Sequence, residues 1–134
     1  MKKKVPYAFV LDALARGEPY TKPMFGCTGV YVGDRIVVIL REKEVSKADN
    51  GVWLATTHEH HDSLRAVFPS LRSIRVFGDS TGWQNLPAEA DDFEEAALRA
   101  CQLILRGDPR IGKVPKPRKN PAAKRVVDSK RRKG

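Results

Sequence analysis

The chain predicts an α+β domain built on a mainly antiparallel sheet, and three observations lead there. β-rich runs follow one another, with a two-residue turn signal between the first pair. Amphipathic helical stretches stand at the two ends of the ordered part, so two helices are available to cover the sheet. The length, 134 residues, suits one domain that buries a core without metals or disulfides. The predicted order is α-β-β-β-(α)-β-α, with four to five strands flanked by N- and C-terminal helices.

Residues 6–16 place Phe9, Val10, Ala13 and Leu14 on one helical stripe, with Pro6 suited to the start and Gly17 to the end. Residues 18–28 hold Pro19, Pro23 and Gly26 and read as a connection. Val30–Val32 and Arg35–Arg41 flank Gly33-Asp34, a hairpin signal, because glycine supplies the positive φ that a two-residue turn requires. The run Ile36–Leu40 is apolar on both faces and predicts a central strand. Residues 42–51 are polar and read as an exposed loop, followed by a strand over 52–57 with Trp53 buried. A short helix is predicted over 59–68, stopped by Pro69, and a fourth strand over about 73–77. Residues 78–90 are turn-rich and carry Trp83. In the last helix Asp91 or Asp92 is the cap, and Asp92, Glu94 and Glu95 favour its N-terminal dipole. Its buried stripe is Phe93, Ala96, Ala97, Ala100, Cys101 and Ile104, and Gly107 closes it.

The net charge of +9 is unevenly placed. Residues 113–134 hold ten basic residues against one acid, Asp128, and account for all of it. Residues 1–112 carry fifteen of each sign and are neutral overall. The last segment also holds Pro115, Pro117 and Pro121 and almost no large apolar side chains, so it cannot offset its chain entropy by burial. Two parts follow: a domain over 1–112 and a basic tail over 113–134, disordered when free. Ile111 and Val114 are expected to pin the junction to the domain, with order to about residue 115. A short helix over 121–132 is conceivable on binding a partner. No apolar run has the length of a membrane span, and Met1–Lys4 is followed by no clean signal-peptide core, so a cytoplasmic protein is expected. Cys27 and Cys101 have no metal-type spacing and read as reduced, packed thiols.

Met24-Phe25-Gly26, then Gly29-Val30-Tyr31 and a hairpin, resembles the N-terminal domain of the TfoX/Sxy competence-regulator family. In that comparison residues 52–57 look like its third strand, and Trp83-Gln84-Asn85-Leu86-Pro87 before a helix looks like its closing segment. The resemblance spans about residues 6–106. Cys27 stands where a second glycine of the motif is expected, and the basic tail replaces the family's C-terminal helical domain. A YjbR-like fold is the rival. The TfoX likeness implies an α/β sandwich with a curved antiparallel sheet, and it implies no catalytic residues.

Four sets of residues are candidate sites. His58, Glu59, His60, His61 and Asp62 form the histidine cluster; on a helix His58, His61 and Asp62 share a face, a weak set of metal candidates, and no distant histidine completes a shell. Asp91, Asp92, Glu94 and Glu95 are paired carboxylates that a helix N-terminus explains, and no nucleophile elbow or phosphate loop is found. Among the aromatics, Trp83 in its turn-rich segment is the expected partner contact. In the tail, Lys116, Arg118, Lys119, Lys124, Arg125, Lys130, Arg131, Arg132 and Lys133 can each neutralise a phosphate, with nucleic acid or an acidic protein as partner. The expectation is therefore a non-catalytic binding or regulatory adaptor domain, with no cofactor and no membrane. The alternative is a metal-dependent or small-molecule enzyme using His58–His61, and a third reading is a dimer paired through a sheet edge.

Overall fold

The computed structural model describes residues 5–76 and 82–114. Lys2–Lys4, Phe77 and every tail residue from 115 onward, including the predicted polyanion contacts, lie outside the described residues. Among the described residues six strands form one open antiparallel sheet: β1 (Tyr20–Met24), β2 (Cys27–Val32), β3 (Arg35–Arg41), β4 (Gly51–Leu54), β5 (Arg72–Ser73) and β6 (Gln84–Pro87). Their spatial order is β1-β2-β3-β4-β6-β5. The helices are α1 (Phe9–Ala13), α2 (His61–Val67) and α3 (Phe93–Leu105). The expected α+β, antiparallel class is what the chain adopts, with β1 and β6 as strands where a connection and a turn-rich stretch were expected.

β3 lies inside the sheet, and the alternation of its side chains defines two faces. Val38 and Leu40 join the core beneath the helices, with Val30, Val52, Leu54 and Leu86 from neighbouring strands. Ile36 and Ile39 join the opposite face with Tyr31, Trp53, Ala55 and Ile74, and Trp83 packs against them. Val38 faces Val30, yet Tyr31 faces Ile36, so Val37 is the extra residue of a bulge. It therefore points to the same core as Val38.

The predicted stripe of α3 is buried at Ala96, Ala97, Ala100, Cys101 and Ile104. Phe93 meets the rings of Tyr7 and Phe9 edge-on at 5.1 and 6.0 Å, which joins α1 to α3. Burial holds the Cys101 thiol up at about 11, and both cysteines are free. Asp92 stands at the N-cap, but its carboxylate accepts from the Ser70 hydroxyl at 2.9 Å instead of capping the helix backbone. The first helix is shorter than residues 6–16: after Ala13 the chain tightens into a 3₁₀ turn over Ala15–Gly17.

The Met24-Phe25-Gly26 motif is the turn of the β1–β2 hairpin. Phe25 and Gly26 both have positive φ, 55° and 74°, as a type I′ turn requires. A two-residue turn makes Met24 and Cys27 its closing hydrogen-bonded pair. Tyr20 and Lys22 keep that alternation toward β2, so Thr21 and Pro23 turn their backbone groups away from the sheet. Pro23 has no N–H to offer there, nor has Pro19 just before the strand.

The polar stretch between β3 and β4 is not simply an exposed loop. Arg41 and Asp49 are buried. The Arg41 guanidinium donates to the carbonyls of Val45 and Ser46 and to Asn50 Oδ1. Asp49 Oδ2 accepts the backbone N–H groups of Arg75 and Val76 at 2.9 and 2.8 Å, and the Trp53 indole N–H donates to the Asp49 carbonyl. These bonds replace water for groups that burial would otherwise penalise. They also hold residues 74–76 as a connection where the strand over 73–77 was expected; β5 keeps only Arg72 and Ser73.

Gly51 is where this loop re-enters the sheet, at φ 146°. A Cβ there would overlap the Leu86 carbonyl oxygen and lie 2.6 Å from Asn85 Oδ1. Gly51→Ala should therefore lower unfolding free energy by at least about 2 kcal/mol. Urea denaturation of the variant beside the parent checks it.

Candidate functional site

The segment after α3 fixes where the basic tail begins. Gly107, at φ 77°, lets the helix close with Gly107 N–H on Ile104 O and Asp108 N–H on Leu103 O, a Schellman motif. Asp108 then accepts the Arg110 backbone N–H and pairs with its guanidinium at 2.8 Å. That pair holds the Asp108 carboxyl below the usual carboxylate range, chiefly through the side-chain hydrogen bond. Arg110 also donates to the Ser63 hydroxyl on α2 at 2.6 Å. Ile111 is buried in the helix-side core.

Beyond Ile111 the chain enters the sheet. β4 ends at Leu54, so the start of β3 has backbone groups to pair on that side. Gly112 N–H donates to Ala55 O at 2.7 Å, and Lys113 and Ile36 exchange both backbone bonds at 2.9 Å. The expectation that Ile111 and Val114 pin the junction is met by Ile111 and by Lys113; the Val114 side chain is exposed.

This strand position gathers residues singled out separately. The Lys113 ammonium lies 5.6 Å from the Trp83 ring centroid, a cation–π contact, and burial lowers its pKa. Trp83, expected at the surface, is half-buried and packs on Trp53 with ring centroids 6.2 Å apart. Just before it, the Gly82 carbonyl accepts from His61 Nε2 at 2.9 Å, which fixes the neutral tautomer with its proton on Nε2. His58 and His61 have ring centroids 4.8 Å apart, as their i, i+3 spacing predicts. Asp62 is exposed beside them, and among the described residues no group of three or more His, Cys, Asp or Glu is arranged to hold a metal ion.

Comparison with protein-family models gave no match, and neither the curated proteins nor the solved structures gave one. Among the described residues no helix is long and apolar enough to cross a membrane.

One further group escapes a sequence reading that misses β1. Tyr20 and Tyr31 are direct cross-strand partners, stacked at 5.2 Å with an interplanar angle of 12°. The Lys22 ammonium lies 5.9 and 5.2 Å from the two ring centroids. The i, i+2 spacing of Tyr20 and Lys22 is the signal, visible once the segment is taken as a strand.

Burial lowers the His61 pKa, which the bond to Gly82 only partly opposes, while His58 and Arg65 lower it further and Asp62 raises it. Because the folded value lies below the unfolded one, the unfolded chain takes up the proton first as pH falls. The associated stability is present above about pH 6.5 and is lost as pH falls through the lower folded value. His61→Gln should therefore lose less stability than the parent between about pH 7.5 and about pH 5.5, read as urea midpoints.

Proposed function

We propose that the chain is a non-catalytic binding module, regulatory in the manner of a TfoX N-terminal domain, whose basic tail contacts nucleic acid or another polyanion. The observation that carries this reading is the placement of the tail's root. Lys113 is paired with Ile36 inside the sheet and lies over Trp83, so the basic residues that follow start from a fixed point beside an aromatic ring. A tethered cationic segment raises the local concentration of its ligand at that point. The neutral domain adds little long-range attraction of its own, and counterion release along the tail supplies the affinity. The TfoX likeness rests on the Met24-Phe25-Gly26 motif, which forms the β1–β2 turn with Phe25 and Gly26 at positive φ. In this reading the protein is cytoplasmic.

The test is anisotropy of a labelled short DNA duplex with the 134-residue chain and with a chain ending at residue 114. The full chain should bind with a log–log salt slope of about −0.9 for each phosphate neutralised, and the shortened one should bind weakly. Equal binding by both would refute the role of the tail, and binding by neither would remove nucleic acid as the partner.

A further inference from the structure

The paired aromatic rings on β1 and β2 are not explained by charge capture. Tyr20 is 44% exposed, yet its position is fixed from three sides. Its ring stacks on Tyr31, its hydroxyl donates to the Gly33 carbonyl at 3.0 Å, and Lys22 flanks it. Cross-strand packing accounts for Tyr31, which is 6% exposed and belongs to the core of that face. It does not account for an ordered ring at the rim with a cation held beside it.

The register sets this pair relative to the tail. Lys113 is opposite Ile36, Ile36 opposite Tyr31, and Tyr31 opposite Tyr20. Direct partners on antiparallel strands point to the same face. One row across the sheet therefore runs from the tail's root to the exposed tyrosine. Lys22 stands one alternation further along β1 on the same face. A flat ring in a fixed orientation, a cation next to it and a basic segment starting from the same row suit a polyanion with exposed π-faces. That is single-stranded nucleic acid, since the bases of a duplex are stacked on one another and offer no free face.

We propose that Tyr20, backed by Tyr31 and flanked by Lys22, is a stacking platform for an unpaired nucleobase of a strand whose phosphates the tail holds. This rests on the polyanion reading above and adds to it a preference for unpaired bases. Tyr20 supplies the π-face, Tyr31 fixes the plane, and Lys22 faces the adjoining phosphate.

The experiment compares three probes of equal length on the full 134-residue chain: an oligothymidylate, an abasic oligonucleotide with the same phosphates, and a DNA duplex. The parent should bind oligothymidylate roughly tenfold more tightly than the abasic strand, the range that one stacked base supplies. Tyr20→Leu, which keeps a residue suited to a strand, should bind both equally and leave duplex affinity unchanged. Tyr20→Phe should restore the difference, because it keeps the ring and loses only the bond to Gly33. Equal affinity of the parent for oligothymidylate and abasic strand overturns the platform and leaves the tail's role standing. A preference that survives in Tyr20→Leu also overturns it, and binding of none of the probes overturns both readings.

Discussion

Burial of β3 on both faces is the constraint on which the other elements depend. Val37, Val38 and Leu40 belong to the core under the helices, while Ile36 and Ile39 belong to the core around Trp53. A strand apolar on both sides must be covered on both. On one side α1, α2 and α3 contribute Val10, Leu64 and the alanine-rich face of α3. On the other, Ile74 and Trp83 pack beside Trp53, and the loop before β4 brings the Asp49 carbonyl to the Trp53 indole. Removing either cover would leave several large apolar side chains in water, each worth about 1.5–3 kcal/mol.

The same strand links the fold to the candidate site. Because β4 is shorter than β3, the start of β3 has backbone groups that the strand ladder does not satisfy, and Lys113 satisfies those of Ile36. The tail's departure point is thus set by hydrogen-bond completion in the sheet, not by the composition of the tail. The Arg110 bonds to Asp108 and Ser63 add a second anchor on α2. His61, bonded to the residue preceding Trp83, brings the start of α2 to the same corner.

Elements with strong apolar periodicity were legible in the sequence. The stripe of α3, the Gly33 turn and the two-faced β3 can be read from residue spacing because burial alone decides them. β1 was hidden because an edge strand exposed at four of its five positions has no buried alternation to detect. β6 was hidden for the opposite reason: Gln84 and Asn85 are polar yet fully buried, and their partners come from residues distant in sequence. The loop before β4 reads as solvated, and its Glu42, Glu44 and Lys47 are exposed; the tertiary bonds of Asp49, and of Arg41 at the end of β3, take those two charges inside. At the site, Trp83 and the histidines stood out by residue type. The meeting of Trp83 with Lys113 depends on a backbone bridge between residues 77 positions apart, which leaves no local trace.

The rim at β1 carries a different consequence. Its outward positions alternate between a proline and Thr21, so a chain approaching in register would meet one amide donor between two imides. Strand-by-strand accretion on that side is starved of hydrogen bonds from its first step. Tyr20 can thus stand at the border of a sheet without that border seeding a polymer, and a sticky ring is compatible with a monodisperse solution.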